Sequence, residues 1–140
     1  MTQTAIFGPF FATLGLTLVV WVYMYAQRIP FIRSLPPDLV LTPARLAELS
    51  PPEVSNPSDN LQNLFEMPVL FYAIALYLVV ANQVDAAHVV AAWIFAGFRA
   101  LHSAVHCTVN VIMLRFVLYF VSCLALFTMI ARAAIRHFTG

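Results

Sequence analysis

The sequence predicts an all-α integral membrane protein that forms a single four-helix bundle over residues 1–140. Hydrophobic residues make up 62% of the chain and charged residues only 9%, and the mean hydropathy is +0.87. Four apolar windows are long enough to cross a hydrocarbon core of about 30 Å as helices. This composition excludes most soluble classes, and a net charge of +1 gives no indication of a nucleic-acid partner.

The predicted spans cover residues 8–27, 64–82, 85–107 and 111–135. No Lys or Arg precedes the first window and no small-residue cleavage site follows it, so we interpret it as a spanning helix rather than a signal peptide. The last two connections, near Gln83 and Asn110, are short and therefore predict antiparallel neighbours. Both termini and the Gln83 turn are expected on one side of the membrane, with the Asn110 turn on the other.

The only long polar stretch, residues 28–62, is predicted to be a loop because it holds seven of the nine prolines and four of the six acids. Within it, "LTPARLAEL" predicts a short helix with Thr42 as N-cap and Pro43 at the first helical position. A second helix start is expected at Pro57, which places Asn63 and Glu66 about two turns inside the second span. The distribution of arginines places the 28–62 loop in the cytoplasm.

The third span contains "FRALHSAVH", in which an arginine and two histidines interrupt an otherwise apolar helix. Spacings of three and four residues put His88, Arg99, His102 and His106 on one helix face. Arg99 lies about 12 Å below the loop-side surface, at the depth expected for Glu66, so we predict an ion pair between them. One alternative is a helix interface whose polar groups satisfy one another without binding a ligand.

The remaining polar residues in the spans lie mostly in the same half of the bundle. Asn63 shares a face with Glu66, and Arg115 begins the fourth span, where it is either a ligand-binding cation or a side chain that snorkels to the interface. The i, i+4 pair His102 and His106 could chelate a metal, but no second ligand helix accompanies it and no metal site is predicted. Haem is disfavoured because His88 lacks a partner histidine on another helix.

Two segments resemble a known family. "NLFEMPVLFYAIALYL" in the second span and "FRALHSAVHCTVNVIMLRF" across the third and fourth are similar to the membrane-associated proteins in eicosanoid and glutathione metabolism (MAPEG), with the closest similarity to its bacterial branch. Asn63 and Glu66 match the N-x-x-E sequence of that family's glutathione transferases and leukotriene synthases. Arg99 and His102 match R-x-x-H, and Arg115 takes the position of the arginine that binds or activates the glutathione thiolate.

The resemblance implies a homotrimer in the bacterial inner membrane, with sites between protomers. It further implies a glutathione- or thiol-dependent transferase or peroxidase that acts on lipophilic small molecules drawn from the surrounding lipids. In that reading Arg115 is the catalytic residue, because a fixed cation stabilises a thiolate. The cofactor-binding residues are Asn63, Glu66, Arg99, His102 and His106.

Two positions differ from the transferase pattern. Those enzymes carry arginines just before N-x-x-E, where this chain has "NPSDN", and an aromatic hydroxyl follows R-x-x-H, where this chain has His106. Fewer cations would weaken binding of a tripeptide with two carboxylates. The alternative is therefore a non-catalytic membrane module that binds a lipid, a quinone or a partner complex.

Overall fold

The structure is a computed structural model that describes residues 2–139, and this part of the chain contains helices and no strand. A short 3-10 turn, Gln3–Ile6, leads into six helices. These are α1 (Phe7–Ser34), α2 (Pro43–Leu49), α3 (Pro52–Leu64), α4 (Met67–Val80), α5 (Ala86–Cys107) and α6 (Ile112–Thr139). Four stretches are long and apolar enough to cross a membrane, with α3 and α4 together forming the second, so the predicted fold class is confirmed.

Helix α1 is longer than predicted and contains the first part of the expected loop. It continues through Pro30 to Ser34 because Ile29, Phe31 and Ile32 extend its apolar sequence beyond Arg28. It ends where Leu35 adopts an extended conformation before Pro36, as expected because the residue before a proline disfavours the α conformation.

The polar stretch 28–62, predicted to be a loop with one short helix inside it, contains more helix than expected, because α1 extends into it and α3 begins early. The short helix α2 begins as predicted, with the Thr42 hydroxyl oxygen accepting from the backbone N–H of Arg45 at 3.2 Å. Helix α3 begins at Pro52, five residues before the expected start at Pro57. Pro52 can open a helix because the first helical position needs no hydrogen-bonded N–H.

The second span is interrupted between Leu64 and Met67, where the sequence analysis expected a continuous helix. Pro68 explains the break, because a proline in a helix interior removes one N–H and clashes with the carbonyl four residues earlier. The interrupted chain resumes with Pro68 in the first turn of α4. Glu66 therefore lies at the break and is exposed, rather than two turns inside a helix.

The apolar core lies between α4, α5 and α6. The rings of Phe71 and Phe95 stack with centroids 4.5 Å apart, and Leu126 and Met129 of α6 are fully buried beside them. The opposite faces of the helices expose large apolar side chains such as Phe116, which suits contact with lipid. Packing holds the helices together, because lipid supplies no hydrophobic force between them.

The start of the chain, the 81–85 turn and the end of α6 meet at one end of the bundle, which we call the terminal end. Asp85 accepts from the backbone N–H of His88 at 2.9 Å and so caps α5, and its second oxygen accepts from Arg132 Nη2 at 2.8 Å. Gln3 Oε1 accepts from the backbone N–H of Val84 at 3.1 Å. The short connections predicted this arrangement of the termini.

The ion pair at the terminal end should make the stability of the protein sensitive to acid. The backbone N–H of His88 and the Arg132 guanidinium hold the pKa of the Asp85 carboxyl below its usual value. A lowered pKa means that the carboxylate stabilises the fold above its unfolded pKa of about 3.9, and that this contribution is lost as the pH falls through the folded pKa. We expect Asp85→Asn to melt below wild type at about pH 7, with the difference shrinking toward about pH 3.

Melting temperatures across this pH range measure the effect, and Asp38→Asn, which removes an exposed acid, is the matched control. Asparagine can still cap α5 through its side-chain oxygen, so the variant removes the charge and the hydrogen bond from Arg132 while it keeps the cap. A difference between Asp85→Asn and wild type that stays constant with pH would contradict the ionic origin.

Candidate functional site

A cluster of polar side chains lies at the end of the bundle opposite the terminal end. It forms where α3, the C-terminal half of α5, the turn that follows it and the first turns of α6 approach one another. We call it the polar cluster; its members are Asn56, Asn60, Asn63, Arg99, His102, Ser103, His106, Asn110, Arg115 and Tyr119.

Arg99 is at the centre of the polar cluster and is fully buried. Its Nη2 donates to the backbone carbonyl of Asn63 at 2.6 Å. Asn63 is in the last turn of α3, where carbonyl groups lose the helical N–H donors that would normally follow. The guanidinium therefore satisfies a carbonyl that the break in the second span leaves open.

The predicted ion pair between Glu66 and Arg99 is wrong: within residues 2–139, no salt bridge joins them. The break between α3 and α4 leaves Glu66 exposed, where one carboxylate oxygen lies 3.5 Å from the hydroxyl of Tyr119. The Arg99 guanidinium lies over the Tyr119 ring instead, 5.0 Å from its centroid, in a cation–π contact. Its Nε and Nη1 have no hydrogen-bond partner in residues 2–139.

His102 and His106, which share a face of α5 with Arg99, are buried. The Nδ1 atom of His102 lies 3.0 Å from the backbone carbonyl of Arg115, which ties α5 to α6, and its Nε2 has no partner within residues 2–139. The His106 ring packs edge-on against His102, with centroids 5.6 Å apart. In the described part of the chain, no three His, Cys, Asp or Glu side chains are grouped closely enough to hold a metal.

Arg115 is positioned by the turn between α5 and α6. Its Nη1 donates to the side-chain oxygen of Asn110, whose own amide donates to Asn56 Oδ1 at 2.8 Å. Asn110 has a φ of 49°, in the left-handed region that asparagine tolerates better than most residues. Arg115 is half-buried in this arrangement, and its Nε is unpartnered within residues 2–139.

Four members of the polar cluster were not predicted from the sequence: Asn56, Asn60, Ser103 and Tyr119. Asn60 is fully buried, accepts from the Ser103 hydroxyl at 3.2 Å and donates to the Cys107 sulfur at 3.5 Å. With Asn56 it belongs to an asparagine series at positions 56, 60 and 63, whose helical spacing was visible in the sequence. Tyr119 was also detectable, because it follows Arg115 by one helical turn.

A cleft of about 220 Å³ opens into the polar cluster. It is lined by Asn63, His102, Ile112, Arg115, Phe116 and Tyr119. Arg115, which lines this cleft, keeps one N–H donor, Nε, without a partner within residues 2–139, and no carboxylate of these residues is among the lining side chains. His102 Nε2 is an acceptor in the neutral ring, because Nδ1 carries the proton that is donated to the Arg115 carbonyl. Donors that carry or adjoin positive charge form their strongest hydrogen bonds with anions, so the geometry is suited to an anionic group.

The sequence of the chain matches the model of a known protein family. The family model described as "MAPEG family" matches residues 6–135, nearly the whole chain. No curated protein and no solved structure matches significantly. The resemblance first indicated by Asn63, Glu66, Arg99 and His102 is thereby confirmed, and the protein belongs to the MAPEG family of membrane proteins.

Proposed function

We propose that the protein is a glutathione-dependent transferase or peroxidase that acts on lipophilic molecules. The observation that carries this proposal is Arg115, whose side chain lines the cleft and keeps an unpartnered N–H donor, while no carboxylate of residues 2–139 is among the lining side chains. Membership of the MAPEG family supports it, because members of this family generally involve glutathione. The proposed residues are Arg115 for catalysis, with Asn63, Glu66, Arg99, His102 and His106 for binding.

The side chains present are compatible with glutathione, which carries two carboxylates and one thiol. Unpartnered N–H groups remain on Arg99 and Arg115 after their contacts within residues 2–139. Such groups are suited to carboxylates and to a thiolate, since hydrogen bonds between a cation and an anion are about twice as strong as neutral ones. The match is one of charge and hydrogen-bond capacity.

In this proposal Arg115 holds a thiolate by its positive charge, which lowers the pKa of the thiol. Glutathione, when bound, supplies the sulfur that attacks an electrophile or reduces a hydroperoxide. Ile112 and Phe116 line the cleft with apolar surface that limits access of water. Phe116 is 62% exposed on the outer face of α6, so a lipophilic molecule could reach the cleft from the bilayer.

The small volume of the cleft favours a site that is formed by more than one protomer. The volume of about 220 Å³ is below the roughly 300–1,000 Å³ that is usual for small-molecule sites. We therefore include in the proposal a homotrimer in which a neighbouring protomer completes the site. The proposal also places the protein in a bacterial inner membrane, with the segment that joins α1 and α3 in the cytoplasm.

A second candidate function is a non-catalytic membrane module that binds a lipid, a quinone or a partner complex. The observation that favours it is that the key cations already make internal contacts. Arg99 donates to the Asn63 carbonyl and Arg115 donates to Asn110, so both contribute to packing whether or not a ligand is bound.

A thermal-shift experiment separates the two candidates. Detergent-purified protein should melt at a higher temperature with millimolar reduced glutathione, since a ligand that binds the folded state stabilises it. The S-methyl derivative, which cannot form a thiolate, should give a smaller increase. Stabilisation by lipids or quinones alone, with no response to glutathione, would favour the non-catalytic module.

A further inference from the structure

The outer face of α5 carries an apolar groove that the proposed function does not use. One part, of about 700 Å³, runs along this face from Val90 to Leu101. A second part, of about 410 Å³, lies between α5 and α6 and includes Ala86 and Thr128. Val90 and Ile94 line both parts, so they form one continuous surface, which we call the α5 groove.

The length of the α5 groove suits a lipid chain. From Ala86 to Leu101 it extends about 22 Å along the helix axis, at 1.5 Å per residue. One leaflet contributes about 15 Å of a hydrocarbon core about 30 Å thick, so the groove is long enough for a whole acyl chain. Its lining is almost entirely apolar, with Thr128 as the one residue that carries a side-chain hydroxyl.

Two arginines of α6, Arg132 and Arg136, follow the end of the α5 groove that lies toward the terminal end of the bundle. Arg132 and Arg136 follow Thr128 at intervals of four residues and therefore share its face of α6. Arg132 pairs with Asp85, the only acid in the sequence segments that form the terminal end. Arg136 is exposed and forms no salt bridge within residues 2–139, so its guanidinium is accessible to a lipid headgroup.

We propose that the α5 groove binds an anionic phospholipid of the bilayer. The acyl chain lies in the groove and the phosphate lies at Arg136, with Arg132 nearby. An apolar groove followed, two helical turns beyond Thr128, by the exposed Arg136 matches an amphiphile with one negative charge, because basic residues near a membrane surface attract anionic lipids. A second copy of the chain is the alternative occupant, since small residues such as Ala87, Gly97 and Ala100 would allow close helix packing, and the nearby charge of Arg136 favours the lipid.

Gly97 offers a way to fill the groove without disturbing the fold. A Cβ atom added at Gly97, which lines the larger part, meets no atom within 4 Å. A leucine there would project into the space proposed for the acyl chain. Gly15 of α1 is the matched control, because a Cβ added there also meets nothing within 4 Å and the residue lies outside the α5 groove.

The test is native mass spectrometry of the detergent-purified protein with phosphatidylglycerol or phosphatidylcholine of identical chains. Wild type should retain phosphatidylglycerol in preference to phosphatidylcholine. Arg136→Gln should reduce that preference by about fivefold, as expected for one arginine near a lipid headgroup, and Arg136→Lys should restore it. Gly97→Leu should reduce retention of both lipids, whereas Gly15→Leu should behave as wild type.

Several results would overturn the proposal. Equal retention of the two lipids by wild type would show that no anionic group is recognised, and an unchanged preference in Arg136→Gln would remove the assigned cation. If Gly97→Leu leaves lipid retention intact but converts an oligomer to monomers on size-exclusion chromatography, a second copy covers the groove. Arg136→Gln changes an exposed residue, so it keeps the test decisive if Gly97→Leu fails to fold.

Discussion

Replacing Arg99 by alanine should lower the free energy of unfolding by about 3 kcal/mol. The fully buried side chain would leave a cavity, and the Asn63 carbonyl at the break in the second span would lose the guanidinium that satisfies it. An unsatisfied buried carbonyl costs about 1–3 kcal/mol, and the cavity adds to this. Chemical unfolding in detergent micelles measures the difference.

Two further variants identify the cause. Arg99→Met fills most of the volume but donates no hydrogen bond, so it should recover the cavity part of the loss alone. Arg33→Ala removes an exposed arginine of α1 and should leave stability within about 0.5 kcal/mol of wild type. If Arg99→Ala is as stable as wild type, the free-energy cost of burying an unpaired cation equals the stabilisation that its contacts provide. That result would indicate that Arg99 serves ligand binding rather than folding.

If the proposed glutathione site is correct, replacing Arg115 by alanine should abolish the expected increase in melting temperature with glutathione while leaving the unliganded protein nearly as stable as wild type. The fold should survive because His102 contacts the backbone carbonyl of Arg115, which the substitution retains. The lost hydrogen bond to Asn110 should cost only about 1 kcal/mol. Without the cation, the pKa of a bound thiol should rise by about one to three pH units.

The thiolate content can be followed by its ultraviolet absorbance as a function of pH with glutathione present. Arg115→Lys should retain part of the effect, since it keeps the charge but lacks the planar array of donors. Arg45→Ala, which removes an exposed arginine of α2, is the control. A variant Arg115→Ala that binds glutathione normally would exclude this residue as the thiolate-binding cation.

Long apolar windows made the membrane fold predictable, whereas the course of the second span was not predicted. Hydropathy indicates that residues enter a membrane, but the apolar sequence after Leu64 conceals a break that depends on Pro68. The prolines near Pro52 were interpreted as features of a loop, although in the structure they begin α3. Proline is compatible with a loop and with the first turn of a helix, so the proline content of this stretch could not decide between the two structures.

For the polar cluster, helical spacing predicted which side chains share a face but not which atoms meet. Arg99 and His102 do lie together on the inner face of α5, as the stripe indicated. The partner of Arg99 was predicted to be Glu66 because opposite charges at equal depth attract. The actual partner is a backbone carbonyl, which exists as an acceptor only because the chain breaks there. The sequence alone does not show which backbone carbonyls lack a helical N–H donor.

The interrupted second span also has a consequence for biosynthesis. Helix α4 has only 14 residues, about 21 Å, and is too short to cross the core of about 30 Å by itself. The missing length must come from α3, whose Asn56 and Asn60 find their partners on α5 and in the turn that follows it. Those partners leave the ribosome later than α3 does. The polar side chains of the second span can therefore be satisfied within the protein only after the following hairpin has been made.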